Sequence, residues 1–148
     1  MLRVGKLTDY AIVLMTCLAR KAQPDPVTAR DLATDMGLPQ PTVSKLLKML
    51  TQGGLLTSTR GVAGGYALAR RPEAISLVEM VEAIEGPMSV TDCSSAKDCA
   101  CTLQSACGLK TNWNYINRQL MGTLRGITLR GMAGSVAQDL KLHNQVTA

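Results

Sequence analysis

The stretch from Pro41 to Arg71, PTVSKLLKMLTQGGLLTSTRGVAGGYALARR, decides the fold of this 148-residue chain. Its first part has apolar side chains at the spacing of one helix face: Val43, Leu46, Leu47 and Leu50. Two glycines, Gly53 and Gly54, end that helix. A threonine-rich run, a glycine-rich tip and a second run then predict a β-hairpin. A helix followed at once by a small hairpin is typical of a winged DNA-binding unit.

A second short helix is predicted just before this stretch. Thr28 is a suitable N-cap, with Asp31 three residues later in a capping-box position, and Gly37 ends the helix. Pro39 and Pro41 suit the first turn of the next helix. Two short helices across a tight glycine-containing turn predict a helix-turn-helix.

The rest of the chain is predicted to be helical around one loop. KLTDYAIVLMTCLARKA, residues 6–22, has the spacing of an amphipathic helix with Thr8 as its N-cap. Ser76 and Glu79 form a capping-box pattern that begins another helix. The last helix has an apolar stripe with more surface than a small winged helix needs, which predicts dimerisation through Trp113, Ile116, Leu120, Leu124 and Ile127.

The predicted fold class is therefore mainly α with a small β-hairpin wing: a winged helix-turn-helix plus a long C-terminal dimerisation helix. We expect three regions: a DNA-binding domain at 1–87, a cysteine-rich loop at 88–109, and a dimerisation helix with a tail at 110–148. Aromatic residues make up only 3% and Phe is absent, so the core must consist of aliphatic side chains and methionine.

The charge distribution indicates an anionic partner for the first half of the chain. Residues 1–72 hold ten Lys and Arg against four Asp and Glu, whereas residues 73–148 hold six against seven. Nucleic acid suits this basic half best. The first residues lack a signal-peptide pattern, because Asp9 interrupts the approach and Arg20-Lys21 replace a cleavage site. We therefore expect a cytoplasmic protein with no membrane partner.

The predicted DNA contacts lie on the second helix of the pair and on the wing. Short polar groups and lysines near a helix start suit base edges and phosphates in the major groove. An arginine beside a glycine-rich tip suits the narrower minor groove, and arginines at the wing base suit phosphates. The predicted contact residues are Gln40, Thr42, Ser44, Lys45, Lys48, Arg60, Gly64, Arg70 and Arg71.

Four cysteines crowd into the loop as Cys93, Cys99, Cys101 and Cys107. Thiolates bind iron and sulfide strongly, so an iron–sulfur cluster is the favoured interpretation. Structural zinc sites more often use two C-x2-C pairs, which are absent, and a metal-free thiol switch is the other alternative. A cytoplasmic location argues against a disulfide framework. No nucleotide loop or zinc-protease motif is present, so we expect neither an enzyme nor a small-molecule substrate.

The chain resembles the iron–sulfur-sensing winged-helix transcription regulators that include IscR, NsrR and, nearest, the SUF-operon regulators. The resemblance is carried by LTDYAI, by the stretch from Pro41 to Arg70, by ISLVEMVEAIEG, and by a cysteine loop that leads into a tryptophan-containing helix. It implies a homodimer that binds double-stranded, palindromic promoter DNA, and a repressor of iron–sulfur assembly genes. The sequence departs from IscR at Ser44, where that regulator has an acidic base-reading residue, so its operator preference does not transfer.

The resemblance also bears on the metal ligands. The family combines three loop cysteines with a fourth, variable ligand, and the histidine that IscR places three residues after its last cysteine is Lys110 here. Two sets stay open: all four loop cysteines, or Cys93, Cys107 and one of the other two with Asp9 of the partner subunit, as in NsrR-type members. A 2Fe-2S cluster is preferred and a 4Fe-4S cluster is the alternative.

Overall fold

The computed structural model describes residues 4–21, 25–91, 94 and 107–134. Within these residues six α-helices surround one two-stranded antiparallel sheet, which confirms the mainly helical, winged class. The elements in chain order are α1 (Lys6–Arg20), α2 (Ala29–Met36), α3 (Gln40–Gln52), β1 (Leu56–Thr59), β2 (Gly65–Leu68), a 3-10 turn (Pro72–Ala74), α4 (Leu77–Glu85), α5 (Lys110–Arg125) and α6 (Leu129–Ala133).

The helix-turn-helix forms from local signals. The Thr28 hydroxyl accepts a hydrogen bond from the backbone N–H of Asp31 at 3.2 Å, which caps α2. Gly37 ends α2 in the left-handed conformation at φ 62°, where a side chain would be strained. Pro39 occupies the N-cap position of α3, and Gly53 ends that helix.

The wing is a short hairpin that pairs Leu56 with Leu68 and Thr59 with Gly65. Val27 forms an isolated antiparallel bridge with Tyr66 of β2, in which the two residues exchange two backbone hydrogen bonds of 2.9 Å. A Cβ on Gly65 would lie 2.7 Å from the carbonyl oxygen of Val27. Glycine therefore permits the close approach that attaches the wing to the segment before α2.

The start of α1 differs from the sequence-based expectation. Helix α1 begins at Lys6 after Gly5, so Thr8 is inside the helix and fully buried. The Thr8 hydroxyl and the Gly5 backbone N–H both donate to the carboxylate of Glu85, at the end of α4. These two hydrogen bonds hold the pKa of the Glu85 carboxyl below its ordinary value. Thr8 therefore does not cap α1, and its hydroxyl instead helps to attach the first turn of α1 to the end of α4.

The chain returns to the winged unit after α5. The Leu77 N–H donates to the carbonyl of Ile127 at 2.8 Å, and the Leu129 N–H donates to the carbonyl of Ile75 at 2.7 Å. Leu129 is fully buried, and α6 packs against α1. Ile127, which the sequence placed in the dimerisation stripe, is only 9% exposed within its own chain, because this backbone pairing draws it into the core.

The core is aliphatic, as the composition predicts. Helices α1, α3 and α4 meet the two hairpin strands around fully buried side chains, among them Leu14, Met15, Leu32, Leu46, Leu47, Leu50, Leu55, Ile75 and Met80. In the described part of the chain, no helix is both long and apolar enough to cross a bilayer.

Candidate nucleic-acid interface and cysteine segment

Helix α3 presents a polar face to solvent opposite its buried leucine stripe. The side chains of this face carry an amide, hydroxyls and two amines, which are donors and acceptors suited to base edges and phosphates. The exposed members are Gln40, Ser44, Lys45 and Lys48, and Thr42 is half-buried beside them. The structure therefore brings together, on one helix, the five residues that the sequence singled out there.

The wing tip carries the predicted arginine and glycine. Arg60 is exposed at the start of the tip, and Val62 is fully exposed at its end. A Cβ on Gly64 would overlap the carbonyl oxygen of Thr59 and lie 2.9 Å from that of Gly61. Glycine at this position is thus required by the turn of the hairpin itself.

The two arginines at the wing base differ in their freedom. The guanidinium of Arg70 donates to the carbonyl of Ala74 at 3.0 Å and to the carboxylate of Glu79 at 2.7 Å. Arg71 is 89% exposed and makes only a loose ion pair of 3.8 Å with Glu73. Arg71 is therefore free to reach a phosphate, whereas Arg70 is engaged in joining the wing base to α4.

Glu79 is the acidic centre of that junction. Partial burial opposes its ionisation, but this is outweighed by hydrogen bonds from the Ser76 backbone N–H, the Arg70 guanidinium and the Ser76 hydroxyl. The pKa of Glu79 consequently lies below its ordinary value of 4.5. The capping box predicted at Ser76 and Glu79 is confirmed, with hydrogen bonds in both directions.

The cysteine segment is described only at its end. Cys107 is a half-buried free thiol just before α5. Cys93, Cys99 and Cys101 lie outside the described residues, and so does the tail from residue 135. Within the described residues there is no group of three or more His, Cys, Asp or Glu side chains that could hold a metal ion. Of the predicted metal ligands, only Cys107 and Asp9 therefore lie within the described residues.

Both ends of the segment are tied to neighbouring helices. On the entry side, the Met88 N–H donates to Glu82 of α4 at 3.2 Å, and the Val90 N–H donates to the amide oxygen of Asn117 of α5 at 3.0 Å. On the exit side, the Lys110 N–H donates to the carbonyl of Cys107 at 3.4 Å. A ligand bound by the segment would thus be connected through these hydrogen bonds to both α4 and α5. Sequence patterns did not indicate Glu82 or Asn117, because their partners are backbone groups.

Asp9 lies in the first turn of α1 with its carboxylate exposed. Among the described residues no hydrogen bond or ion pair engages that carboxylate, so it is available to a group outside its own chain's core. The adjacent Thr8 is bonded to Glu85, which fixes the turn that carries Asp9.

Helix α5 has a solvent-facing apolar side. Its exposed members are Leu109 (57%), at the N-cap, Trp113 (36%) and Ile116 (45%), while Leu120 and Leu124 are half-buried. Tyr115 (57%) is exposed as well, on a different side of the helix. Met121, which the predicted stripe omitted, is the buried anchor of this helix. The stripe therefore divides, with Trp113 and Ile116 exposed, Leu120 and Leu124 half-buried, and Ile127 buried.

Three comparisons agree with this architecture. Residues 4–135 match the profile of the Rrf2 family, described as iron-dependent transcriptional regulators. The chain is 33% identical over 132 residues to ORF2 of Azotobacter vinelandii, named as an HTH-type transcriptional regulator, covering 88% of this chain and 79% of that protein. It is 29% identical over 127 residues to the transcriptional regulator IscR of Aliivibrio salmonicida, covering 84% and 74%.

The fold is also that of a solved regulator. The structure of CymR, the global cysteine regulator of Bacillus subtilis, superposes with a TM-score of 0.71 at 27% identity, covering 90% of this chain and 97% of that one. These relatives are regulators of transcription rather than enzymes, as the sequence predicts. With an exposed polar face on α3, a glycine-tipped wing and a family match over nearly its whole length, this chain belongs to the Rrf2 family and is a DNA-binding transcriptional regulator.

Proposed function

We propose that this chain is an iron–sulfur-sensing repressor of iron–sulfur cluster assembly genes of the SUF type, and that it binds promoter DNA as a homodimer. The observation that carries the proposal is a four-cysteine segment whose ends are hydrogen-bonded to α4 and α5 of an Rrf2-family winged helix. The family description as iron-dependent supports it.

In the proposed complex, α3 enters the major groove. Gln40, Thr42 and Ser44 lie in its first half, where they would meet base edges, and Lys45 and Lys48 would meet phosphates. Arg60 at the wing tip would enter the minor groove, with Gly64 allowing the tight turn. Arg71, which is nearly fully exposed, would take a phosphate, and Arg70 supports the wing base.

Dimerisation is proposed through α5. Trp113 and Ile116 are exposed large apolar side chains on a 16-residue helix, together with Leu109 and Tyr115. Burying such a surface against its copy is the simplest way to remove it from water. Two α3 helices related by a twofold axis would then address half-sites about 34–36 Å apart.

The proposed ligands are the four loop cysteines, or Cys93, Cys107 and one of Cys99 and Cys101 with Asp9 of the partner subunit. The donor set fits an iron–sulfur cluster, because soft thiolates are the usual ligands and the exposed, unpaired carboxylate of Asp9 can supply an oxygen. A 2Fe-2S cluster is preferred and 4Fe-4S is the alternative. When bound, such a cluster supplies sensitivity to cluster supply, oxidants or nitric oxide.

The test is anaerobic purification followed by visible and Mössbauer spectra of the wild type, of each loop Cys→Ala variant and of Asp9→Ala. We expect a brown protein whose spectrum is lost in at least three cysteine variants. Cys17→Ala, at a half-buried position on α1, is the matched control and should keep the spectrum. An unchanged spectrum for Asp9→Ala would select the four-cysteine set. A colourless protein with stoichiometric zinc would overturn the proposal.

The second candidate is a zinc-stabilised or thiol-redox-switched regulator of the same fold. It is favoured by the similarity to CymR, a cysteine regulator, and by the free, half-buried thiol of Cys107. A thiol switch predicts DNA binding that responds to dithiothreitol and is unaffected by chelators. The cluster sensor predicts the reverse, so the same DNA-binding assay separates it from a thiol switch, and the metal content of the purified protein separates it from a zinc-stabilised regulator.

A further inference from the structure

A cleft of about 740 Å³ lies between the C-terminal end of α1, the base of the wing and α6. It is lined by residues 18–21, 25, 27, 67–73 and 130. Its volume is in the range of small-molecule sites, roughly 300–1,000 Å³. The lining includes no residue of α3 and none of the wing tip at 61–64, and it shares with the proposed DNA contacts only Arg70 and Arg71 at the wing base.

The cleft combines an apolar wall with a charged rim. Leu18 of α1 is buried, and Val27 and Leu68 are half-buried members of the hydrophobic core that continue into the cleft. Small-molecule sites are commonly apolar pockets with a few convergent polar groups. The polar groups here are mostly cationic, with five Lys and Arg side chains against two carboxylates.

Two of the five cations are neutralised by partners beyond the cleft. Lys21 pairs with Asp35 at 3.1 Å, and Arg70 pairs with Glu79 at 2.7 Å. The cations left without a close carboxylate are Arg20 of α1, Arg71 of the wing base and Arg130 of α6. Of these, the Nε of Arg20 donates to the carbonyl of Ala133 at 3.1 Å, which fixes the stem of this side chain at the edge of the cleft.

The other two arginines share one carboxylate loosely. Glu73 lies 3.8 Å from the Nε of Arg71 and 3.9 Å from the Nε of Arg130, through its two different oxygens. Both distances exceed the 2.7–2.9 Å of a direct charge-assisted hydrogen bond. The arginine side chains are 89% and 67% exposed, so their guanidinium groups keep donors for a second anion.

We propose that this cleft is a binding site for a small anionic metabolite, carrying a carboxylate or phosphate group and a short apolar part. Arg71 and Arg130 would hold the anionic group, and the wall at Leu18 and Val27 would contact the apolar part. Glu73 is the internal anion against which the ligand competes. Because residues 67–68 are the end of β2 and residues 69–71 follow it directly, an occupied cleft would contact the base of the wing.

The test is a titration of the full chain with inorganic phosphate, against chloride at equal ionic strength, monitored through the backbone amide NMR signals of residues 67–71 and of Glu73. We expect saturable shifts with a dissociation constant on the order of millimolar for this minimal probe. Arg130→Gln should weaken binding about three- to fivefold, as an exposed ion pair allows. Glu73→Gln should strengthen it, because the competing carboxylate is removed.

Arg118→Gln is the matched control, since it removes the same charge from an exposed position on α5 away from the cleft. Equal weakening in Arg118→Gln and Arg130→Gln would overturn the proposal in favour of general surface charge, as would shifts that never saturate or a Glu73→Gln variant that does not bind more tightly. If Arg130→Gln weakens binding to duplex DNA more than Arg118→Gln does, the cleft serves nucleic acid and the proposal is wrong. None of these results depends on metal content.

Discussion

Because the chain packs back onto the winged unit through α6, we predict that Leu129→Ala destabilises the fold. Leu129 is fully buried on α6, and its backbone N–H is bonded to the carbonyl of Ile75. Truncation removes roughly 2 kcal/mol of apolar transfer free energy and adds a cavity cost, so the free energy of unfolding should fall by about 3 kcal/mol. That loss is a large part of the stability of a small domain, typically about 5–15 kcal/mol.

The assay is urea unfolding followed by far-UV circular dichroism, at two protein concentrations so that coupling to association is visible. Val62→Ala is the control, because Val62 is fully exposed at the wing tip, and its free energy of unfolding should change by less than about 0.5 kcal/mol. A loss below about 1 kcal/mol for Leu129→Ala, with an unchanged denaturant dependence, would show that α6 does not complete this core.

Three further predictions concern the wing, the charges and pH. In Gly65→Ala the new Cβ would collide with the Val27 backbone and break the two hydrogen bonds between Val27 and Tyr66. The free energy of unfolding, measured in urea, should therefore fall by about 2–3 kcal/mol. An unchanged free energy of unfolding would refute the close approach of the two backbones. Lys45→Ala should weaken binding to all duplexes alike and reduce the slope of log K against log salt by about 0.9, measured by fluorescence anisotropy, whereas an unchanged slope would exclude a phosphate contact. The pKa of Glu79 is lowered in the folded protein, so the ionised carboxylate contributes stability above about pH 4.5, and this contribution is lost as the pH falls through the folded-state pKa. The Glu79→Gln variant should therefore lose less stability in acid than the wild type does. Identical profiles of unfolding free energy against pH would contradict this.

The elements predicted most accurately are those whose signals are local. The cap at Thr28, the left-handed glycine at Gly37 and the capping box at Ser76 each depend on groups three or four residues apart, so the sequence around them contains the whole interaction. The polar face of α3 was predictable for a similar reason. Once the leucine stripe is buried, helical periodicity leaves Lys45 and Lys48 on the opposite side.

The elements that were missed or misplaced depend on distant partners. Thr8 has the side chain of an N-cap, but it is buried inside α1, where its hydroxyl donates to Glu85, 77 residues away. Ile127 has the spacing of the α5 stripe, yet it is drawn into its own chain's core by the hydrogen bond from Leu77. Periodicity states which residues share a face, and it carries no information about which surface that face will meet.

The sequence alone therefore determined the class of fold, the helix-turn-helix with the polar face of α3, and the resemblance to the family, because periodicity, caps and turn residues act over a few positions. Only the tertiary structure decided that Thr8 is buried beside Glu85, that α6 completes the core, that the predicted stripe divides between buried and exposed positions, and that four arginines line one cleft. Those features arise where segments far apart in the chain pack together, and the free energy of that packing depends on the whole set of contacts rather than on any local pattern.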